Sequence, residues 1–282
     1  MQYKVSIKRK CYLLSVLLMT VWLTGCVQEE FESTPSPAGN GIRFTLTVPD
    51  VNLPSVSSRT MTGTGTAKKE DEIETVDILV FDMSKTPAVF LEWVSATGVT
   101  QDLADNSTVS FSAVLSPTTA STCIVVVANK ELDNIVSGFT KGATTKVEAM
   151  EKMLHTQTGK WLADGSTTGG YTRIPMYGEK VISKITPSMD PITGINMKRM
   201  LARIDIRNNS ATSNFTVEEV YLANYNTTGY IAPAWNTNGQ VTDPVPDTPV
   251  LPAGSGKMTE EGDAILYSVN GNTPYDGEIY TF

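Results

Sequence analysis

Histidine and cysteine are nearly absent from this chain. Its 282 residues hold one histidine, His155, and three cysteines. Structural zinc sites draw four ligands mostly from Cys and His, and a nucleophile–histidine pair needs both partners in one place. So few exclude the common zinc constellations and weigh against a nucleophile–histidine triad, and no metal, no cofactor and no enzymatic activity are expected. A Gly-rich phosphate loop between a strand and a helix is also missing, since GTGT at 63–66 is only a glycine pair in a loop. Carboxylates are plentiful, but no pair is singled out for acid–base work. The acidic run EDEIE at 70–74 reads as a solvated strand entrance or, less favourably, as ligands for a hard cation. Long apolar runs are lacking too: the stretch from Cys11 to Trp22 is well short of the ~20 residues that span a bilayer.

What the amino terminus does contain is an address. Lys4, Lys8, Arg9 and Lys10 precede that apolar stretch, with no acid before Cys26. This is the layout of a secretory signal, expected over 1–25. It ends in Leu23-Thr24-Gly25-Cys26, which resembles a bacterial lipobox, so Cys26 is the expected lipidation site. The residue after it is Val27 rather than Asp, which argues against retention at the inner membrane. Glu29, Glu30 and Glu32 resemble the acidic surface-export signals of some outer-membrane lipoproteins. Loss of the signal would take four bases from the 22 present and leave 30 acids, a net charge of −12. Such a surface repels nucleic acid and anionic lipid. With Cys11 in the signal and Cys26 acylated, Cys123 is alone and no internal disulfide is expected.

The rest of the chain reads as strands. A polar, Pro- and Ser-rich tether is followed by IRFTLTVP, in which Ile42, Phe44, Leu46 and Val48 alternate with polar residues. A loose segment rich in Ser, Thr and Gly follows. Strands are then expected at 74–82, 88–96, 107–115, 122–130, 174–185, 200–208 and 216–225, with shorter ones near the carboxyl end. One helix is expected at 144–157, with Thr145 and Glu148 as a capping box and Val147, Met150 and Leu154 on its apolar face. His155 would lie on that helix in a structural or solvent-facing role. Many short strands with one helix point to a β-sandwich architecture. Pro187, Pro191 and Gly194 suggest a hinge between two such units.

The order of segments resembles the fimbrillin family (FimA/Mfa-like, type V pilins). The matching pieces are the lipobox, the leading strand, the loop Ser58-Arg59-Thr60, and the strand ending Leu79-Val80-Phe81-Asp82. Further along come Ile174-Pro175-Met176-Tyr177-Gly178-Glu179, then Arg199-Met200-Leu201-Ala202-Arg203-Ile204 and Val220-Tyr221-Leu222-Ala223-Asn224. The resemblance implies two transthyretin-like β-sandwiches and a surface fimbrium serving adhesion. It also implies an arginine-specific protease cutting between Arg59 and Thr60. That cut would release a leading strand carrying Ile42, Phe44, Leu46 and Val48, whose place a strand of the next subunit takes. The expected divisions are 1–25 for the signal, 26–59 for tether and removable strand, 60–187 and 188–282 for the sandwiches. The second sandwich looks incomplete, through truncation or, less favoured, as a reduced domain of an accessory subunit. The alternative function is a surface glycan-binding lipoprotein of a nutrient-uptake system, with Trp93, Trp161 and Trp235 as stacking platforms.

Overall fold

The structure, a computed structural model, describes residues 42–47, 71–101, 108–157, 159–162, 172–206, 214–242, 250–253, 255, 264–269 and 275–282. Val48, Cys26, Arg59 and Thr60 lie outside the described residues.

Two sheets form the first sandwich. One has the order β4 (Thr97–Gln101), β5 (Thr108–Ala113), β1 (Ile42–Thr47), β9 (Ile192–Asn196). The other runs β10 (Lys198–Arg199), β8 (Met176–Ile182), β6 (Thr122–Ala128), β2 (Val76–Asp82), β3 (Val89–Ser95). Strand β1 alternates buried and exposed residues, as expected for one face on a core and one toward water. Strands β2 and β6 do not alternate: VDILVF and TCIVVVA are buried throughout. Their sheet is the middle layer. One of its faces packs Ile78, Val80, Ile124 and Val126 against Phe44, Leu46, Phe111 and Ile195 of the other sheet. The opposite face packs Leu79, Phe81, Val125 and Tyr177 under a helical cover. Continuous β-branched runs are the signature of strands enclosed on both sides.

The cover contains two short helices, α1 (Asp133–Val136) and α2 (Lys146–Lys152). Thr145 caps α2, and with Glu148 it forms the expected capping box. The helix is shorter than the sequence suggests, because Met153 leaves the helical region at φ −80° and ψ 78°. The following residues form β7 (Leu154–Thr156), which pairs with β13 (Thr228–Tyr230). The buried residues of α2 are Lys146, Ala149 and Met150, whereas Val147, and Leu154 beyond its end, are only half-buried. His155 therefore lies on a strand, its ring 5.0 Å from that of Trp161. Burial, then the nearby Lys130, lower its pKa to about 4.

Beyond residue 187 the chain returns to the first sandwich before leaving it. Strands β9 and β10 join one sheet each, past the division drawn from the sequence. Two further two-stranded sheets follow, β11 (Ala202–Ile206) with β15 (Tyr275–Thr281) and β12 (Glu219–Leu222) with β14 (Ile265–Ser268). Between them they bury Tyr225, Ile265, Tyr267 and Ile279 as a second, smaller core.

Gly178 sets the spacing of the first sandwich at one point. A Cβ there would lie 2.7 Å from Met197 Sδ and 2.8 Å from Ile195 Cγ2, on the segment facing it. Gly178→Ala should therefore destabilise the fold by about 1–3 kcal/mol through overpacking. A urea midpoint unchanged from the parent would contradict this.

Candidate functional site

The candidate site is built around β1. It is a central strand, although it is the first in sequence among the described strands. Along one edge it pairs antiparallel with β5, from Ile42 opposite Ala113 to Thr47 opposite Thr108, without a break. Along the other edge it pairs parallel with β9, Phe44 opposite Ile192 and Leu46 opposite Ile195. Two residues of β1 thus match three of β9, and the extra residue is absorbed where Gly194 takes φ +69°. Such a bulge lets Ile192 and Ile195, three apart, both reach the core.

The inward side chains of β1 are almost sealed: Ile42 is 6 % exposed, Phe44 1 % and Leu46 0 %. The Phe44 ring lies flat against that of Phe111, with centroids 5.0 Å apart and planes 7° from parallel. Gross burial of these three side chains contributes roughly 5–9 kcal/mol. The outward residues Arg43 and Thr47 are exposed. Among the described residues β9 has β1 as its sole strand partner. The backbone N–H of Met197 also donates to Thr47 O at 2.9 Å.

The chain after the leading segment is pinned independently of β1. Asp71 pairs with Arg199, while Arg173 bridges Glu72 and Glu74. Ile73 N donates to Gln101 Oε1, and Gln101 Nε2 donates to Asp71 O at 2.7 Å. Asn129, with φ 58°, donates from Nδ2 to Glu72 O and Ile174 O and accepts from Glu74 N. The described acidic residues of the run, Asp71, Glu72 and Glu74, thus form an arginine-paired anchor, and Arg199 supplies part of it. No local pattern in the sequence ties residue 71 to residue 199.

A second polar group holds the helical cover. Lys146 is buried, and its Nζ donates to Glu179 Oε2 and Gly239 O, each at 2.6 Å. Tyr177 OH donates to the same Glu179 oxygen at 2.5 Å. Burial, followed by the Glu179 charge, raises the Tyr177 pKa well above its ordinary value. Burial also pushes the Cys123 thiol up to about 12, so this cysteine is an inert core residue. Sequence reasoning did not find the Lys146–Glu179 pair, because 33 residues separate its members.

None of the three candidate stacking tryptophans is exposed. Trp161 is buried and bonded from Nε1 to Thr172 O, and Trp93 and Trp235 are half-buried. Among the described residues no group of three or more His, Cys, Asp or Glu is placed to hold a metal ion.

A family model described as the major fimbrial subunit protein, FimA, matches residues 42–229. The chain belongs to that family. The match begins at the first residue of β1, and membership supports a structural role in fimbriae. No curated protein matches the chain. Solved structures similar to this fimbrial chain include a candidate cell-adhesion protein from Parabacteroides distasonis. It is 17 % identical with a TM-score of 0.45, over 86 % of this chain and 70 % of that one. A fimbrial assembly protein of the same organism is 12 % identical with a TM-score of 0.38, over 84 % and 88 %.

Proposed function

We propose that this chain is a structural or accessory subunit of a cell-surface fimbrium that serves adhesion. It reaches the outer membrane as a lipoprotein acylated at Cys26, is not an enzyme, and assembles by exchanging β1 after cleavage at Arg59. The carrying observation is that β1 fills the middle of a sheet while the chain on the far side of 48–70 is fixed by other means. A cut within that segment frees β1 from covalent attachment and leaves the Asp71 anchor in place. Loss of β1 then uncovers apolar side chains of β5 and β9 and two rows of unpaired N–H and C=O groups. A strand from a neighbouring subunit restores both kinds of contact, which is the physical basis of strand addition. Partners are accordingly other fimbrial subunits, an arginine-specific protease and the lipid of the outer membrane, not nucleic acid.

Treatment of the folded chain with an arginine-specific protease tests this reading. Cleavage is expected at Arg59, giving a resistant core that begins at Thr60, with β1 still bound until displaced. Arg59→Ala should leave that site uncut. Cleavage first at Arg43, inside the strand, or protection of Arg59 in the native chain would overturn the mechanism.

A further inference from the structure

The three inward positions of the β1 slot are not equivalent. At one end Ile42 stands opposite the small Ala113, and at the other Leu46 is closed in by Val109 and Ile195. The middle position is walled by the flat face of Phe111, and the occupant meets it as a parallel ring rather than as an aliphatic branch. Stacking of this kind adds to the area term, because the offset rings complement each other's charge distribution. The opposite sheet leaves no slack: Ile78, Val80, Ile124 and Val126 beneath it are all fully buried. A smaller middle side chain would leave a void that the packed layers cannot close.

We infer that the slot selects its incoming strand by an aromatic ring at the middle of three alternating apolar positions, with Phe111 as the selecting residue. This rests on the strand-exchange reading above and adds the chemistry of the partner. The donor is an extended segment of a neighbouring subunit with the pattern apolar, any, aromatic, any, aliphatic. Its outward residues are less constrained, since Arg43 faces solvent and Thr45 is half-buried. The arrangement discriminates between subunits that all offer apolar strands, which burial alone does not do.

The test uses the whole chain, made soluble by Cys26→Ala and cleaved within 48–70 with β1 still in place. Dye-labelled peptides spanning residues 40–48 are offered as competitors and their capture is followed by fluorescence anisotropy. The native peptide should replace β1. Its Phe44→Leu form should bind roughly 3–10-fold more weakly, and its Phe44→Ala form about 100-fold more weakly or worse. In a Phe111→Leu chain, or Phe111→Met should that one fold poorly, the gap between the native and Phe44→Leu peptides should fall to within about twofold. Equal capture of all three peptides overturns the inference while leaving exchange standing. So does a native-to-leucine gap that persists without Phe111. Failure of every peptide, the native one included, overturns exchange itself and the selection with it.

Discussion

Phe44→Ala in the uncut chain should lower folding stability by about 3–5 kcal/mol. The side chain is 1 % exposed, stacked on Phe111, and set between two sheets whose facing residues have no room to move inward. Truncation loses the transfer energy of the ring and leaves a cavity as well. Arg43→Ala is the internal control: its neighbour on the same strand points to solvent, and its loss should cost no more than about 0.5 kcal/mol. Urea denaturation of the two variants reads the contrast directly. Similar midpoints would mean that β1 does not carry the core packing assigned to it.

Glu179→Ala should have an effect of the same size for a different reason. Lys146 Nζ lies 2.6 Å from the carboxylate, its own side chain 1 % exposed. Removing the anion leaves a buried ammonium with Gly239 O as its remaining identified partner, and such losses cost about 3–5 kcal/mol. Lys146→Met should be far milder, because Glu179 is a fifth exposed and keeps the Tyr177 hydroxyl and, at 3.4 Å, the N–H of Val241. The double variant should recover most of the loss. Hydrogen exchange should localise the Glu179→Ala effect to 231–242, the segment that Gly239 and Val241 attach to helix α2 and β8. Uniform loss of protection across the molecule would contradict that placement.

The elements that were legible in the sequence are those whose neighbours impose a simple period. Strand β1 announces itself by alternation and β2 and β6 by unbroken β-branched runs. The cap of α2 is visible as Thr145 with Glu148. Elements built on irregular geometry were hidden. Strand β9 reads Ile-Thr-Gly-Ile-Asn, with isoleucines three apart, and becomes a strand only because a bulge at Gly194 turns both inward. Strand β7 looked like the end of a helix, since Leu154 keeps helical spacing with Met150, and only pairing with β13 decides otherwise. The leading strand of the candidate site was visible for the same reason as the fold: its apolar face is local. The Asp71–Arg199 and Lys146–Glu179 pairs were not, because each depends on a three-dimensional approach that leaves no trace at short range.

The parallel pairing of β1 with β9 also bears on how the molecule comes to be folded at all. A chain delivered in order from its amino end presents Ile42, Phe44 and Leu46 first, yet their partners are at 108–113 and 192–196. Until Asn196 has followed, one edge of the leading strand has nothing native to meet. Contacts of such sequence separation close slowly, on the order of milliseconds to seconds for β-rich domains even once the whole chain is present. An alternating apolar strand waiting that long is open to association with any other exposed edge. Between delivery of residue 42 and delivery of residue 196 the leading strand is therefore open to misassembly along that edge.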